Sequence, residues 1–466
     1  LNNKDGMTAS RRAFLKRAST LSLAGIATPW ALNLAAMADA SATTATDYKA
    51  LVCVFLYGGN DYANTVVPYD ATSHALYTGF RPSFAYAQDA LTPTLLKPVS
   101  APVDTGGLAH QYALAPGLAP LLPLFDSGKL GVMLNVGTIV QPTTKQQYLN
   151  KSVKLPPKLF SHNDQQSVWQ SSLPEGATSG WGGRMGDLFQ SGNGNSTFTC
   201  VNVSGNAVYL SGKSAVQYQV STNGSVPLNG VKNPLFGSAA ASTALRTLVT
   251  QTRTHTLENE YSKISKRALD ANDVLTSALA GAAPLTTVFP AANSLGDQLK
   301  LVARMISVGA ELGAKRQVFF VSLGGFDTHD AMLTAHPALM TKVGNAMAAF
   351  YAATAELGVA DKVTTFTASD FGRTMAGNAD GSDHGWGSMH FVMGGAVKGQ
   401  RFYGTAPVVA DNGPDDVGQG RLLPTTSVEQ LAATLGTWLG ISDSNLLDLL
   451  PNLTNYNSSV RNLGFV

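Results

Sequence analysis

The tightest constraint on how this chain can fold is a set of short, unbroken apolar runs that close on glycine and then on an acidic residue. Between Tyr48 and Tyr57 the chain reads Ala50-Leu51-Val52-Cys53-Val54-Phe55-Leu56 and runs into Gly58-Gly59-Asn60-Asp61. Continuous rather than alternating apolarity marks a strand buried on both faces, as at the centre of a parallel sheet. Lys129 to Val136, Arg316 to Leu323 and Lys362 to Ala368 read as further strands, the last two separated by a helical stretch from Ala331 to Leu357. This alternation predicts an α/β fold, a mostly parallel sheet sandwiched by helices. Thr243 to Leu279 lacks proline and glycine and places Leu257, Tyr261, Ile264, Ala268, Leu275 and Leu279 at helical spacings, so one long helix or two are expected. Leu118 to Phe125 reads as a short helix despite its prolines. The stretch of about 174–234 is rich in Gly, Ser and Asn and reads as an irregular insertion over one end of the sheet.

The N-terminus carries an address. Ser10-Arg11-Arg12-Ala13-Phe14-Leu15-Lys16, an apolar stretch from Leu21 to about Ala36, and Ala38-Asp39-Ala40 together read as a twin-arginine export signal over residues 1–40. Engagement of the twin-arginine export machinery and a periplasmic or extracellular location follow. The apolar stretch is short against the ~20 residues a membrane span needs, so no stable membrane span is expected. The chain holds 32 Lys and Arg against 30 Asp and Glu; five of the former and two of the latter lie in residues 1–40, so the remainder is formally about −1. A near-neutral protein lacks the one-sided positive field that nucleic acid requires, which excludes that partner. Cys53 and Cys200 each sit in an apolar run and read as buried thiols rather than a bridge.

Four polar clusters follow, or closely follow, the strands: Asp61; Asp327 with His329; Asp370; and Asp383 with His384, with His390 nearby. The carboxyl ends of strands in an open parallel sheet converge on one crevice. Carboxylates and imidazoles gathered there form a ligand set for a divalent ion, Zn²⁺, Mn²⁺ or Mg²⁺, one or two in number. A lone Asp after a strand is also a common helix cap, and His390 opens an apolar run that suits a core histidine equally well.

The motifs Phe55-Leu56-Tyr57-Gly58-Gly59-Asn60-Asp61, Gly324-Gly325-Phe326-Asp327-Thr328-His329, Ser369-Asp370-Phe371-Gly372-Arg373-Thr374 and Asp383-His384-Gly385-Trp386-Gly387 resemble the bacterial family named for domain of unknown function 1501. That resemblance implies a single alkaline phosphatase-like domain over 48–466, within the alkaline phosphatase and sulfatase superfamily. It also implies metal ligands at Asp61, Asp327, His329, Asp370 and His384, with Asp383 as a ligand or as the acceptor that orients His384. Phe371 stands where the superfamily pattern has a histidine. The superfamily nucleophile is a Ser, Thr or modified Cys at a helix start, a place held here by Ser161; Ser161 and Asp164 also match a capping box. His162 beside it is a ligand or an acid, and Arg373 reads equally as a fork that grips a phosphate or sulfate and as the salt-bridge partner of one of the aspartates. Neither cysteine lies in the Cys-x-Pro-x-Arg context of the sulfatase route. Two functions follow: an exported metal-dependent hydrolase of a small anionic ester, or a non-catalytic exported binding or assembly protein that keeps the fold.

Overall fold

The computed structural model describes residues 45–410 and 412–466; the export signal expected over residues 1–40 lies outside them. Five strands frame the molecule: β1 (Lys49–Leu56), β2 (Leu130–Gly137), β3 (Arg316–Leu323), β4 (Val363–Ser369) and β5 (Ser388–Gly394). They form the body of a ten-stranded mixed sheet in the order β2-β5-β4-β1-β3. Short strands 402–403 and 426–427 pair with β2, and 200–202, 218–221 and 224–225 extend the other edge beyond β3. β1 is central and runs parallel to both neighbours, whereas β5 runs antiparallel to β2 and β4.

Successive side chains of a strand point to opposite faces, and β1 feeds two cores accordingly. Ala50, Val52, Val54 and Leu56 pack with Leu299 and Val302 of α3 (Ser294–Ser307) and with Val343, Met347 and Phe350 of α4 (Met332–Glu356). Leu51, Cys53 and Phe55 pack with Met185 and Phe189 from helix Trp181–Phe189 and with Leu431 and Leu435 from helix Val428–Leu439. Each fully buried side chain of this size contributes ~1.5–3 kcal/mol, and both faces of the sheet are covered. Cys53 and Cys200 are buried free thiols.

The remaining helices that matter are α1 (His162–Ser171) and α2 (Thr256–Gly281). The helical stretch expected over 243–279 is two helices, Ala239–Thr250 and α2, parted by the polar residues 251–255. The stretch 118–125 starts as a 3-10 helix, Pro116–Leu121, because Pro120 lacks the N–H that an α-helix needs, and continues as Leu122–Asp126. Within 174–234 the chain gives helix Trp181–Phe189 and the short strands at the sheet edge. Among the described residues no helix is long and apolar enough to cross a membrane.

Register places the site. Leu56 pairs with Leu323 on one side and Ser369 on the other. β1, β3 and β4 therefore end level at one edge, and the loops carrying Asp61, Asp327 and Asp370 leave together. Gly58 lets them approach: its φ of +116° suits glycine, and a Cβ there would fall 2.3 Å from the Asp327 backbone nitrogen.

Candidate metal centre

At that edge His162, Asp327 and His384 converge. His162 is the first residue of α1, Asp327 lies four residues beyond β3, and His384 ends the strand Ser382–His384, directly opposite Arg373 in a small antiparallel pair. The His162 and His384 Nε2 atoms are 3.0 Å apart, and Asp327 Oδ1 lies 3.4 Å from the first and 3.2 Å from the second. Donors bound ~2.0–2.1 Å from a tetrahedral ion lie roughly 3.3 Å from one another. The three atoms therefore match the edges of one coordination shell. His329 adjoins them, its Nε2 2.8 Å from His384 Nε2 and 3.1 Å from Asp327 Oδ1.

Protonation follows from what stands behind each ring. His162 Nδ1 faces Asp370 Oδ2 at 2.7 Å, His384 Nδ1 faces the Phe160 carbonyl at 2.7 Å, and His329 Nδ1 faces Asp383 Oδ1 at 3.2 Å. All three partners are acceptors, so a neutral ring at any of these positions places its proton at Nδ1 and turns its Nε2 lone pair inward. Lone pairs held 2.8–3.0 Å apart beside a carboxylate repel unless a shared cation or proton lies between them. The donor set therefore fits a divalent metal ion. Asp370 adds to the case, since its Oδ1 is buried and meets no donor, a state that costs ~1–3 kcal/mol when left uncompensated.

The surroundings tune these groups. His162 is raised above the ordinary histidine range, first by its hydrogen bond to Asp370 and against the effect of burial. His384 is lowered by burial, with His162 and Arg373 adding to it. Burial pushes Asp327 up, but the hydrogen bond and charge of Arg373, helped by His162 and His329, leave its carboxyl below the usual range. The Asp327 side chain is 47% exposed and that of His329 43%, so the cluster opens to solvent on one side.

Several expected residues serve other purposes. Asp61 is fully buried and spent: Oδ1 accepts from Arg81 Nη1 at 2.7 Å and from the Asn64 amide at 2.9 Å, and Oδ2 accepts from Ser382 Oγ at 2.8 Å. It caps the turn Tyr62–Asn64 instead of facing the cluster. His390 sits inside β5, 1% exposed and edge-on to Trp169 at 5.9 Å, so it is a core histidine. Arg373 is fully buried, with Nη1 donating to Asp327 Oδ1 and to the Gly58 carbonyl, each at 2.9 Å, and Nε donating to the Ser382 carbonyl at 3.1 Å. Its fork is engaged within the protein; it positions Asp327 rather than an ester. Asp370 and Asp383 stand behind His162 and His329. Ser161 precedes α1 without capping it; its Oγ donates to Asp164 Oδ2 at 2.8 Å. Phe371 packs its ring against His162 and His384, with centroids 4.8 Å from each. An aromatic wall thus holds the two imidazoles where the superfamily pattern has a histidine.

Two contributors escaped the sequence reading. Gln166 Nε2 donates to Asp370 Oδ2 at 2.8 Å; its signal was the spacing of four from His162, which puts both on one face of α1. The Phe160 carbonyl reaches His384 from a backbone at φ 72°, a conformation unusual for a bulky residue, and nothing in the residue type announces it.

Fold and site together define an α/β protein with an imidazole and carboxylate centre at the carboxyl edge of its sheet. The family model described as Protein of unknown function (DUF1501) matches residues 48–451, and the chain belongs to that family. No curated protein matches it. Among solved structures it is similar to Ps i-CgsB in complex with k-i-k-neocarrahexaose, at 10% identity and a TM-score of 0.35, over 88% of this chain and 77% of that one. It is also similar to the lipoteichoic acid synthase LtaP from Listeria monocytogenes, at 8% identity and a TM-score of 0.30, over 86% and 73%. Likeness this distant carries no mechanism across.

Proposed function

We propose that the protein is an exported, metal-dependent hydrolase of phosphate or sulfate esters with an alkaline phosphatase-like architecture, delivered by the twin-arginine route. The observation that supports this reading best is the inward set of His162, His384 and Asp327, each imidazole fixed in one tautomer from behind. These three residues, with His329 beside them, would hold the ion; when bound, it would supply positive charge to the ester oxygens. The chain's own residues do the rest. Asp370 and Gln166 hold the His162 ring in place, Arg373 fixes Asp327, and the open side of the cluster admits a small anionic ester. The Ser161 hydroxyl, next to His162 in the chain, donates a hydrogen bond to Asp164, which leaves its lone pairs available as a nucleophile.

Protein exported by its native route is expected to carry close to stoichiometric Zn²⁺, Mn²⁺ or Mg²⁺ by elemental analysis and to cleave members of a phosphate and sulfate ester panel. Asp327→Asn and His384→Ala should lose both metal and turnover while remaining folded, and Ser161→Ala should lose turnover alone. Absence of metal, no uptake on addition, and silence across the panel would sink the proposal. A second reading, an exported binding or assembly protein without turnover, is favoured by the engagement of Arg373 inside the protein. Stoichiometric metal with no turnover would decide for it.

A further inference from the structure

α2 exposes a seam that its own protein covers only in part. Leu257, Tyr261, Ile264 and Ala268 follow one another at spacings of four, three and four, the heptad pattern of a helix that packs along another helix. The same seam continues through Ala271 and Leu275, which are 3% and 0% exposed and belong to the core. Its first half is open: Leu257 is 76% exposed, Tyr261 66% and Ile264 49%. Beside it runs a groove of about 220 Å³, bounded by Ile264, Arg267, Ala268, Val216 and Tyr218.

We propose that this seam is a self-association surface, where a second copy of the chain lays its own residues 257–268 antiparallel across a two-fold axis. Charge selects that occupant. The helix is acidic at Glu258 and Glu260 and basic at Lys263, Lys266 and Arg267, so two copies running the same way would oppose like charges. Turned antiparallel, Tyr261 meets Ile264 of the second copy and Leu257 meets its Ala268. Glu260 and Arg267, which flank the seam at equivalent heptad positions, then face each other across the axis twice. Glu260 is free to turn outward, since its contact with Lys263 is a 3.6 Å pair between two exposed side chains and such pairs stabilise little.

Sedimentation equilibrium of the processed protein over a range of concentrations tests this. A reversible dimer is expected, and Tyr261→Glu should abolish it with no change in melting temperature, because Tyr261 touches little in the monomer. Glu260→Arg alone and Arg267→Glu alone should each weaken the dimer about tenfold or more. Mixing the two variants should restore it as a heterodimer, since each then meets its opposite charge at both positions. A protein that stays monomeric, a dimer indifferent to Tyr261→Glu, or charge variants that fail to rescue each other on mixing would overturn the assignment.

Discussion

Two aspartates leave the sheet from neighbouring strands after similar glycine-bearing loops, and they do opposite work. Asp61, beyond β1, has both oxygens committed to protein donors and is wholly buried. Asp327, beyond β3, has its side chain 47% exposed and offers Oδ1 to three imidazoles as well as to Arg373. What separates them is the partner, since a single arginine buried against a carboxylate makes a structural pair. Converging lone pairs beside a carboxylate make a site for a cation. Position at the carboxyl end of a strand brings a residue to the crevice, and only what arrives from elsewhere decides its role.

The contrast breaks most sharply by mutation. Asp61→Ala leaves Arg81 charged, buried and unpaired; an orphan of that kind typically costs ~3–5 kcal/mol, measured as a shift in the denaturant midpoint, while metal bound per folded molecule stays unchanged. Asp327→Asn should do the reverse, removing metal affinity by more than the ~10–100-fold typical of residues standing behind a ligand at little cost to stability. A metal-free Asp61→Ala protein that melts like wild type would dissolve the distinction. Asp370→Asn sharpens it, for it keeps the shape but weakens the hold on His162; titration with Zn²⁺ should show affinity lower by ~10–100-fold. Gln166→Ala should act in the same direction and less strongly, since it removes only one of the donors to Asp370.

How far the sequence revealed all this follows from the same division. β1 and β3 were legible almost to the residue because strands buried on both faces need unbroken apolar runs. The antiparallel direction of β5 was hidden, because apolarity is blind to strand direction. His384, Asp327 and His329 were visible through their glycine-rich motifs. Asp61 misled because its partner, Arg81, lies 20 residues downstream in no motif. Arg373 read equally as a grip on the ester and as the partner of an aspartate; the second holds, and what decided it, the pairing with His384 across a hairpin, is not announced by the residues. The gap between the two helices over 239–281 was hidden too, since Gln251 to His255 contain neither proline nor glycine and break the helix by polarity alone.

His390 offers the finest test, because it was a candidate ligand and the structure makes it core. Burial lowers it from the ordinary 6.5 to about 3, and burial likewise lowers His336 to about 4. Above pH 6.5 both are neutral whether the chain is folded or not, and they leave stability unchanged. As pH falls below 6.5 the unfolded chain binds protons that the folded chain refuses, so stability drops by up to about 1.4 kcal/mol per pH unit for each histidine until the folded values are reached. Urea midpoints measured on metal-free protein should fall between pH 7 and pH 4, with these two histidines contributing that slope each. His390→Leu should remove the contribution of His390 alone, making the fall shallower, and leave metal affinity intact. A ligand histidine would behave otherwise: its replacement would lower metal affinity, and that result would return His390 to the centre from which its burial removes it.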